Sequence, residues 1–466
     1  MLLNRIKETP VEKVFLFISL FFGFLYVFII PPFQSVDEAS HFYRGYEIAS
    51  HHLVAQNIDG QVGDFLPSSL KTFSSKYDLL IKNIDEKIGV NYIINSGLIK
   101  LEPDKTEFIN FQNTALYSPV TYLGQIPGMY VSRAFNSNPL VTFYLGRISN
   151  LLFFTFIIYF AIKIIPFYKL PLMVLSLAPM TLSLAGSLTS DVIVIGVNFL
   201  WTALLLKLIV KKSKIDLKEI LVLALLATIL ALSKHYFMLV PLVFLLPKSQ
   251  FKNISRYLIC IFSVLSLAVL GLLIWQNLTK GLFVDLNQNA NIAQQINFIA
   301  THPLSYLAVL AKTLIIKTPR IIITMIGVLG WQDTRLDFLT YILYPILVAA
   351  AVICENRSDF KFKKWQICLI FFDVIASVFL IFTSMYLMWS AVGSSVIIGL
   401  NGKYFTPIML AFLLLFYNRS KTNLNENQKN IIKLLIYVAI TLILISSDLS
   451  LLHRFYDITP NLYYKV

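Results

Sequence analysis

Long apolar runs alternate with short polar segments along almost the whole chain, starting at Val14. A helix needs about 20 residues to cross a hydrocarbon core of about 30 Å, and the runs reach that length repeatedly. They predict spans at about 14–30, 139–162, 170–187, 192–210, 219–247 (a hairpin of two), 257–275, 338–354, 365–389, 404–417 and 430–447. The pattern therefore predicts an all-α polytopic membrane protein with about 11 transmembrane helices, forming a single membrane domain over residues 1–466.

Two stretches interrupt this pattern. Residues 31–138 are rich in polar residues, and we interpret them as a large first extracytoplasmic loop with juxtamembrane helices, including an interfacial segment at 117–133. Residues 276–337 are expected to form a second extracytoplasmic or re-entrant region. Within it, residues 303–330 are apolar but carry three basic side chains. This segment is expected to form either a re-entrant pair of helices or two short spans. Two spans would raise the total to 13.

The composition supports the membrane interpretation. Hydrophobic residues make up 57% of the chain and charged residues only 14%, whereas soluble domains carry about 25% charged residues. The net charge is +14, but the basic residues cluster in short loops between apolar runs. Because such clusters mark cytoplasmic loops, the charge indicates topology and not nucleic-acid binding. It predicts a cytoplasmic N-terminus, with residues 31–138 on the outer face.

Several common site types are missing from the sequence. The three cysteines, Cys260, Cys354 and Cys368, lie in or beside apolar runs without metal-ligand spacing, which argues against a disulfide or zinc framework. Neither a phosphate-binding loop nor a dinucleotide fingerprint occurs. The first span lacks a small-residue cleavage site, so we expect it to be retained. No predicted cytoplasmic loop is long enough for a nucleotide-sugar domain, so an enzyme of this kind would take its substrate from the membrane.

The most informative polar cluster follows the first span. Two prolines end that helix, and the adjacent carboxylates Asp37 and Glu38 begin a short helix whose dipole favours negative charge. His41 lies four residues after Asp37, on the same helical face, and Arg44 lies three residues further on. A carboxylate in this setting is suited to act as a general base for a hydroxyl group. The alternative is that the two acids only cap a juxtamembrane helix.

Other polar residues near the predicted membrane boundary each admit two interpretations. Asp191 suits a second acid that positions an acceptor or holds a metal, or else a helix N-cap. Boundary cations either neutralise a lipid phosphate or simply extend towards headgroups. The cations in question are Arg44, Arg133, Arg147, Lys234, Arg335 and Lys403. Asp373 lies inside an apolar run and is the feature that best favours a transporter.

A set of short motifs occurs in order along most of the chain. They are Pro31-Pro32-Phe33-Gln34, Asp37-Glu38, His41-Phe42-Tyr43-Arg44, Ala115-Leu116-Tyr117-Ser118-Pro119 with Tyr122 and Arg133, Arg147 with Asn150, Ala178-Pro179-Met180, Ser190-Asp191, Lys234 with Tyr236, the segment from Gly327 to Asp333, and Gly402-Lys403-Tyr404-Phe405 with Pro407. Together they resemble the DUF2142 family of bacterial multi-span membrane proteins, which is considered part of the GT-C glycosyltransferase superfamily. Val36 replaces the family's usual proline, and Lys403 replaces its usual arginine and lacks the planar fork that suits phosphate.

The resemblance implies a GT-C-like fold and an inverting transferase in the bacterial cytoplasmic membrane, with its active site on the outer face. Such enzymes move a sugar from a polyprenyl-phosphate-linked donor to a cell-surface glycan acceptor. The acid in their first outer loop is the catalytic base, which carries over to Asp37 or Glu38. The substrate-binding residues implied are His41, Arg44, Tyr117, Arg133, Arg147, Asp191, Lys234, Trp331, Asp333, Lys403 and Tyr404. The reaction that the resemblance implies requires no cofactor, although Asp191 could bind a divalent metal.

Other classes of function stay open at this point. A flippase or exporter of a lipid-linked glycan is the main alternative, and paired intramembrane charges would favour it. A glycan ligase or polymerase is closer in chemistry, but such proteins generally carry their large outer loop late in the chain. A non-catalytic scaffold is a further possibility. The expected partners are the lipid-linked donor, a glycan or lipid-linked acceptor and the bilayer.

Overall fold

The fold is built mainly from α-helices. The structure is a computed structural model that describes residues 9–233, 236–284, 289–355, 360–417 and 424–457. Within these residues, six helices are long and apolar enough to cross a membrane. They are Val11–Ile29, Pro139–Ile164, Asp191–Val210, Ile254–Leu282 (which ends in the 3-10 turn Lys280–Leu282), Lys364–Trp389 and Glu426–Phe455. The prediction of a mainly helical polytopic membrane protein is confirmed.

Shorter helices occupy the other positions where spans were expected. They are Lys169–Ser176, Pro179–Ala185, Leu217–Leu232, Phe338–Cys354 and Met409–Leu414, with 3-10 helices at Tyr236–Leu245, Lys248–Gln250, Gly402–Tyr404 and Thr406–Ile408. The span expected over 170–187 is divided into two helices, because Pro179 has no N–H group to continue the first helix and instead begins the second. The total of about 11 spans stays a prediction.

The apolar segment 303–330 forms one continuous helix, Pro303–Gly327. Both expectations for this segment, a re-entrant pair and two short spans, are therefore wrong, since Pro319 lies inside the helix without ending it. The helix Ile292–Thr301 precedes it. Two short antiparallel strands, Val328–Leu329 and Thr334–Arg335, follow it and form a hairpin.

Residues 31–138 form a mixed helix and sheet region that hydropathy did not predict in detail. Three antiparallel strands, Gln56–Ile58, Gln61–Pro67 and Thr106–Asn110, pair in that order. Gly63 is required in the middle strand because a Cβ atom there would overlap the backbone of Ile109. The helices are Glu38–Ala49, Ser68–Ser75, Val90–Ser96, Gln112–Ala115 and Ile126–Ala134, with 3-10 turns at Asp78–Leu80 and Pro119–Tyr122.

A second cluster of buried apolar residues, separate from the core of the spans, joins this region to the Pro139–Ile164 helix. The Asp191–Val210 helix is the most enclosed of the six, with 17 of its 20 residues buried. Above the spans, buried aromatic rings pack around Phe33, whose ring centroid lies 4.7 Å from that of Phe143 and 5.1 Å from that of Phe73. Phe143 belongs to the Pro139–Ile164 helix. The region is thus seated on the spans by shared packing and not by a flexible tether.

Hydrogen bonds fasten residues 31–138 to the end of the last described helix. The Lys87 ammonium donates to the carbonyl oxygens of His453 and Arg454, both at 2.8 Å, and the Ile88 N–H donates to Phe455 O at 2.8 Å. The Arg454 guanidinium donates to Leu80 O at 2.9 Å. We call the side of the bundle on which residues 31–138 lie the loop face.

Candidate functional site

The two adjacent carboxylates at the start of the Glu38–Ala49 helix have opposite environments. Glu38 is fully buried and forms a bidentate ion pair with Arg147, with Nε–Oε1 at 2.8 Å and Nη2–Oε2 at 2.7 Å. The backbone N–H of Leu188 also donates to Oε1 at 2.8 Å. Three N–H donors thus hold the Glu38 carboxylate in place.

Arg147 uses every N–H group that it has. Besides its two bonds to Glu38, it donates to the carbonyl oxygens of Val27, Ile30 and Pro31 at 2.8, 2.7 and 3.1 Å. These carbonyls lie at the end of the first span, where a helix leaves its last C=O groups without partners. Arg147 therefore caps that helix, and no N–H group of its guanidinium is left for a substrate phosphate.

Asp37 lies at the N-cap of the same helix but faces partly towards solvent. Its backbone is left-handed, with φ of 62°, a conformation that aspartate and asparagine adopt more readily than most residues. Its Oδ1 accepts a hydrogen bond from Asn113 Nδ2 at 3.1 Å. No cation pairs with this carboxylate among the residues that the structure describes. Asp37 is thus a fixed and half-buried carboxylate that an incoming hydroxyl could reach.

His41 lies one turn after Asp37 and contacts two tyrosines. Its Nδ1 lies 3.0 Å from the Tyr122 hydroxyl, and its ring stacks on Tyr117 with centroids 6.1 Å apart. Tyr122 comes from the 3-10 turn Pro119–Tyr122. The arrangement places an imidazole and two aromatic rings beside the Asp37 segment.

The Arg44 side chain has a structural role. It is fully buried, pairs with Glu47 and donates to the carbonyl oxygens of Leu53 and Tyr117 at 2.8 and 3.1 Å. Burial raises the pKa of Glu47 to about 7, against the opposing effect of the Arg44 charge. Arg44 thus orders the chain around Tyr117 and is closed to a ligand.

Arg133 has a similar role further along the chain. Its guanidinium donates to Ala49 O and lies 5.3 Å from the centre of the Tyr46 ring. It therefore fixes the end of the Glu38–Ala49 helix.

A second ion pair joins the Asp191–Val210 helix to the Gly402–Tyr404 turn. Asp191 begins the Asp191–Val210 helix, and its carboxylate is 2.8 Å from the Lys403 ammonium. Both side chains are largely buried, and Tyr404 lies beside the ammonium, with its ring centre 5.8 Å away. The 187–191 turn links this pair to Glu38, because the backbone N–H of Leu188 donates a hydrogen bond to the Glu38 carboxylate. Lys403 is thus neutralised by Asp191.

The remaining two candidates lie on the hairpin after the Pro303–Gly327 helix. The Trp331 indole N–H donates to Phe33 O at 2.9 Å, four residues before Asp37. Asp333 pairs with Arg454, with Nη2 2.8 Å from Oδ2. Both residues therefore hold the hairpin against the loop face and the last helix.

The structure thus separates the predicted site residues into two sets. Asp37 and Tyr117 are half-buried and His41 is buried against the Tyr117 ring, whereas Glu38, Arg44, Arg147 and Asp333 are engaged in ion pairs. Lys234 lies outside the described residues. Sequence reasoning missed Asn113 as a partner of Asp37, and no local motif around Asn113 would have indicated it.

A divalent metal has few available ligands at this site. Among the described residues, no group of three or more His, Cys, Asp and Glu side chains is arranged to hold a metal ion. Asp191, the residue considered for this role, faces the positive charge of Lys403.

The helices and the seated loop region define a polytopic membrane protein with a polar site at the loop face. The chain belongs to the DUF2142 family, described as a predicted membrane protein, which matches residues 20–413. The family resemblance carried by the motifs is therefore confirmed. No curated protein and no solved structure matches the chain.

Proposed function

We propose that this protein is a membrane glycosyltransferase of the GT-C type, with Asp37 as its catalytic base. It moves a sugar from a polyprenyl-phosphate-linked donor to a cell-surface glycan acceptor on the outer face of the bacterial cytoplasmic membrane. The loop face is then the outer face, as the distribution of basic residues predicts.

The contrast between Asp37 and Glu38 carries the proposal. A general base needs an oxygen that is open to the incoming proton, and the buried Glu38 oxygens already accept three N–H donors. Asp37 accepts one bond, from the neutral Asn113 amide, and is partly exposed. This observation favours Asp37 as the base and gives Glu38 a structural role.

The proposed reaction is a single displacement. The acceptor hydroxyl oxygen attacks the anomeric carbon of the donor sugar while its proton passes to Asp37. A new C–O bond forms, the bond from the anomeric carbon to the phosphate oxygen breaks, and its electron pair leaves with polyprenyl phosphate. Configuration at the anomeric carbon is inverted. The Asn113 hydrogen bond orients the base, and the half-buried Tyr117 ring, stacked on the buried His41 ring, offers an aromatic surface for a sugar ring.

The test compares surface glycans by mass spectrometry in cells that carry wild type, no copy, Asp37→Asn or Asp59→Asn at matched expression. Asparagine is isosteric and tolerates the left-handed backbone, so Asp37→Asn removes the base without disturbing the turn. Asp59 is a matched control, since it is an exposed aspartate in the same region with φ of 52°. We expect the deletion and Asp37→Asn to lose the same sugar, with turnover reduced about 10²- to 10⁴-fold, and Asp59→Asn to keep it.

Transport is the second candidate, and Asp373 favours it. This carboxyl lies within the Lys364–Trp389 helix at 6% exposure, and its Oδ2 has no hydrogen-bond partner among the described residues. Buried intramembrane carboxyls are costly and are typical of ion pathways. A transporter would lose the surface glycan with Asp373→Asn and keep it with Asp37→Asn. Full restoration by Asp37→Asn would therefore exclude Asp37 as the base and favour transport.

A further inference from the structure

A cavity of about 510 Å³ lies between the Pro303–Gly327 helix, the hairpin that follows it and the start of the Phe338–Cys354 helix. Its wall includes two arginines, Arg320 and Arg335, and the amide side chain of Gln332. It also includes the apolar side chains of Ile323 and Phe338. The wall of the cavity thus combines cationic, polar and apolar side chains.

The two arginines are available to a ligand. Neither guanidinium makes a hydrogen bond or ion pair within the described part of the chain, and both side chains are exposed. This distinguishes them from Arg44, Arg147 and Arg454, whose guanidinium groups are bound to carboxylates and carbonyls. Guanidinium groups present paired N–H donors that match phosphate oxygens.

The surroundings of the cavity favour an anion that carries an apolar chain. Phe338 is 79% exposed at its rim, and Ile322 and Leu339 continue the exposed apolar surface on the two helices. Arg320 lies seven residues, or about 10 Å of helical rise, before the end of its helix. A cation at that depth among exposed isoleucines needs an anionic partner or must extend to water.

The cavity wall is hydrogen-bonded to both parts of the candidate site. Thr324, in the wall, accepts a bond from the Gly402 N–H at 2.8 Å, directly before Lys403. Gly402 is required there because a Cβ atom would overlap the backbone of the Pro303–Gly327 helix. On the other side, Trp331 is the neighbour of Gln332 and bonds Phe33 O in the segment that leads to Asp37.

The hairpin that supplies Gln332 has an unusual backbone that its contacts hold in place. Gly330 and Gln332 both have positive φ values, of 62° and 63°. Glutamine rarely adopts this conformation, and such strain persists only where the surrounding structure imposes it. The Trp331 and Asp333 contacts impose it here and keep the Gln332 side chain at the cavity.

We propose that this cavity binds the phosphate of the lipid-linked sugar donor, with Arg320 and Arg335 as its phosphate-binding residues. The polyprenyl chain then lies along the exposed apolar surface around Phe338. This proposal rests on the proposed function and replaces Arg44 and Arg147, which are closed by their own partners, as the phosphate ligands.

The test measures binding of undecaprenyl phosphate to the purified full chain in nanodiscs of phosphatidylcholine, by native mass spectrometry. Phosphatidylglycerol and inorganic phosphate are the comparison ligands. We expect Arg320→Gln/Arg335→Gln to weaken undecaprenyl phosphate binding at least tenfold, since each charged hydrogen bond lost affects affinity by about that factor. The control is Lys252→Gln/Arg256→Gln, which removes two exposed cations at the start of the Ile254–Thr279 helix and should leave binding unchanged.

Three results would overturn the proposal. They are wild-type affinity in the double arginine variant, equal loss in the control variant, and binding of phosphatidylglycerol or inorganic phosphate as tight as that of undecaprenyl phosphate. Asp37→Asn separates this proposal from the proposed function, because it should bind undecaprenyl phosphate normally. If the arginines bind the lipid while Asp37→Asn still restores the surface glycan, the cavity stands and the transferase mechanism fails.

Discussion

Arg147 and Arg335 are both arginines near the loop face, but their surroundings differ in every respect. Arg147 is fully buried, and its five N–H groups reach one carboxylate and three carbonyl oxygens. Arg335 is exposed on a two-residue strand beside a cavity and has no such partner among the described residues. Both looked alike in the sequence, as cations near a predicted membrane boundary.

The difference teaches that charge at a membrane boundary does not by itself indicate a ligand site. A buried guanidinium is tolerated because its donors are satisfied, and for the same reason it has nothing left for a substrate. An exposed guanidinium beside a cavity has unused donors. Candidate ligand residues should therefore be chosen by free donor capacity, and the following experiments test that rule.

The largest expected effect concerns the buried pair. Arg147→Met would leave the Glu38 carboxylate buried without a counter-charge and would also free three helix-end carbonyls. We expect a loss of about 3–5 kcal/mol in the free energy of unfolding. Thermal unfolding in detergent, together with the amount of protein recovered, measures it. Adding Glu38→Gln should recover part of the loss, whereas an unchanged melting temperature in Arg147→Met would show that the pair is not buried as described.

The sequence predicted the long helices well because hydropathy alone decides them. The span expected over 139–162 is the helix Pro139–Ile164, and that expected over 14–30 is Val11–Ile29. The break at Pro179 lies within one of these apolar runs, and hydropathy does not register it because proline is not polar.

The pairings at the site could not be predicted. Glu38 and Arg147 are 109 residues apart, and no local pattern says that they meet. Composition and spacing identified Asp37 and Glu38 together as candidates but could not separate them, because the separation comes from Arg147 and Leu188 on other elements. The sheet at 56–110 has too few apolar residues in alternation to stand out beside the spans.

Glu47 allows the cost of a buried carboxylate to be measured through pH. Its pKa is raised to about 7 by burial, above its ordinary value of 4.5. The folded state therefore holds a proton that the unfolded state releases, so stability should fall as pH rises from about 4.5 to 7 and level off above that. The change should be at most about 3 kcal/mol. Thermal unfolding of wild type and Glu47→Gln across this range tests it, and equal pH profiles would contradict the prediction.

The smallest effect is expected at the cavity. Arg320→Gln/Arg335→Gln removes two exposed charges that stabilise no described residue, so the free energy of unfolding should stay within about 0.5 kcal/mol of wild type. The same melting experiment measures it. Destabilisation comparable to that of Arg147→Met would show that these arginines also hold the fold, and the distinction between the two kinds of arginine would fail.

The bonds from Lys87 and Ile88 to the end of the Glu426–Phe455 helix also constrain how the protein is made. The partners of Lys87 are 366 and 367 residues further along the chain. At about 5–20 residues per second, a ribosome supplies them roughly 20–70 seconds after Lys87 itself. During that interval the 31–138 region has been synthesised but lacks its final anchor, so its apolar surface is open to wrong partners. Biogenesis of this protein should therefore depend on factors that protect the half-assembled 31–138 region while the remaining spans are inserted.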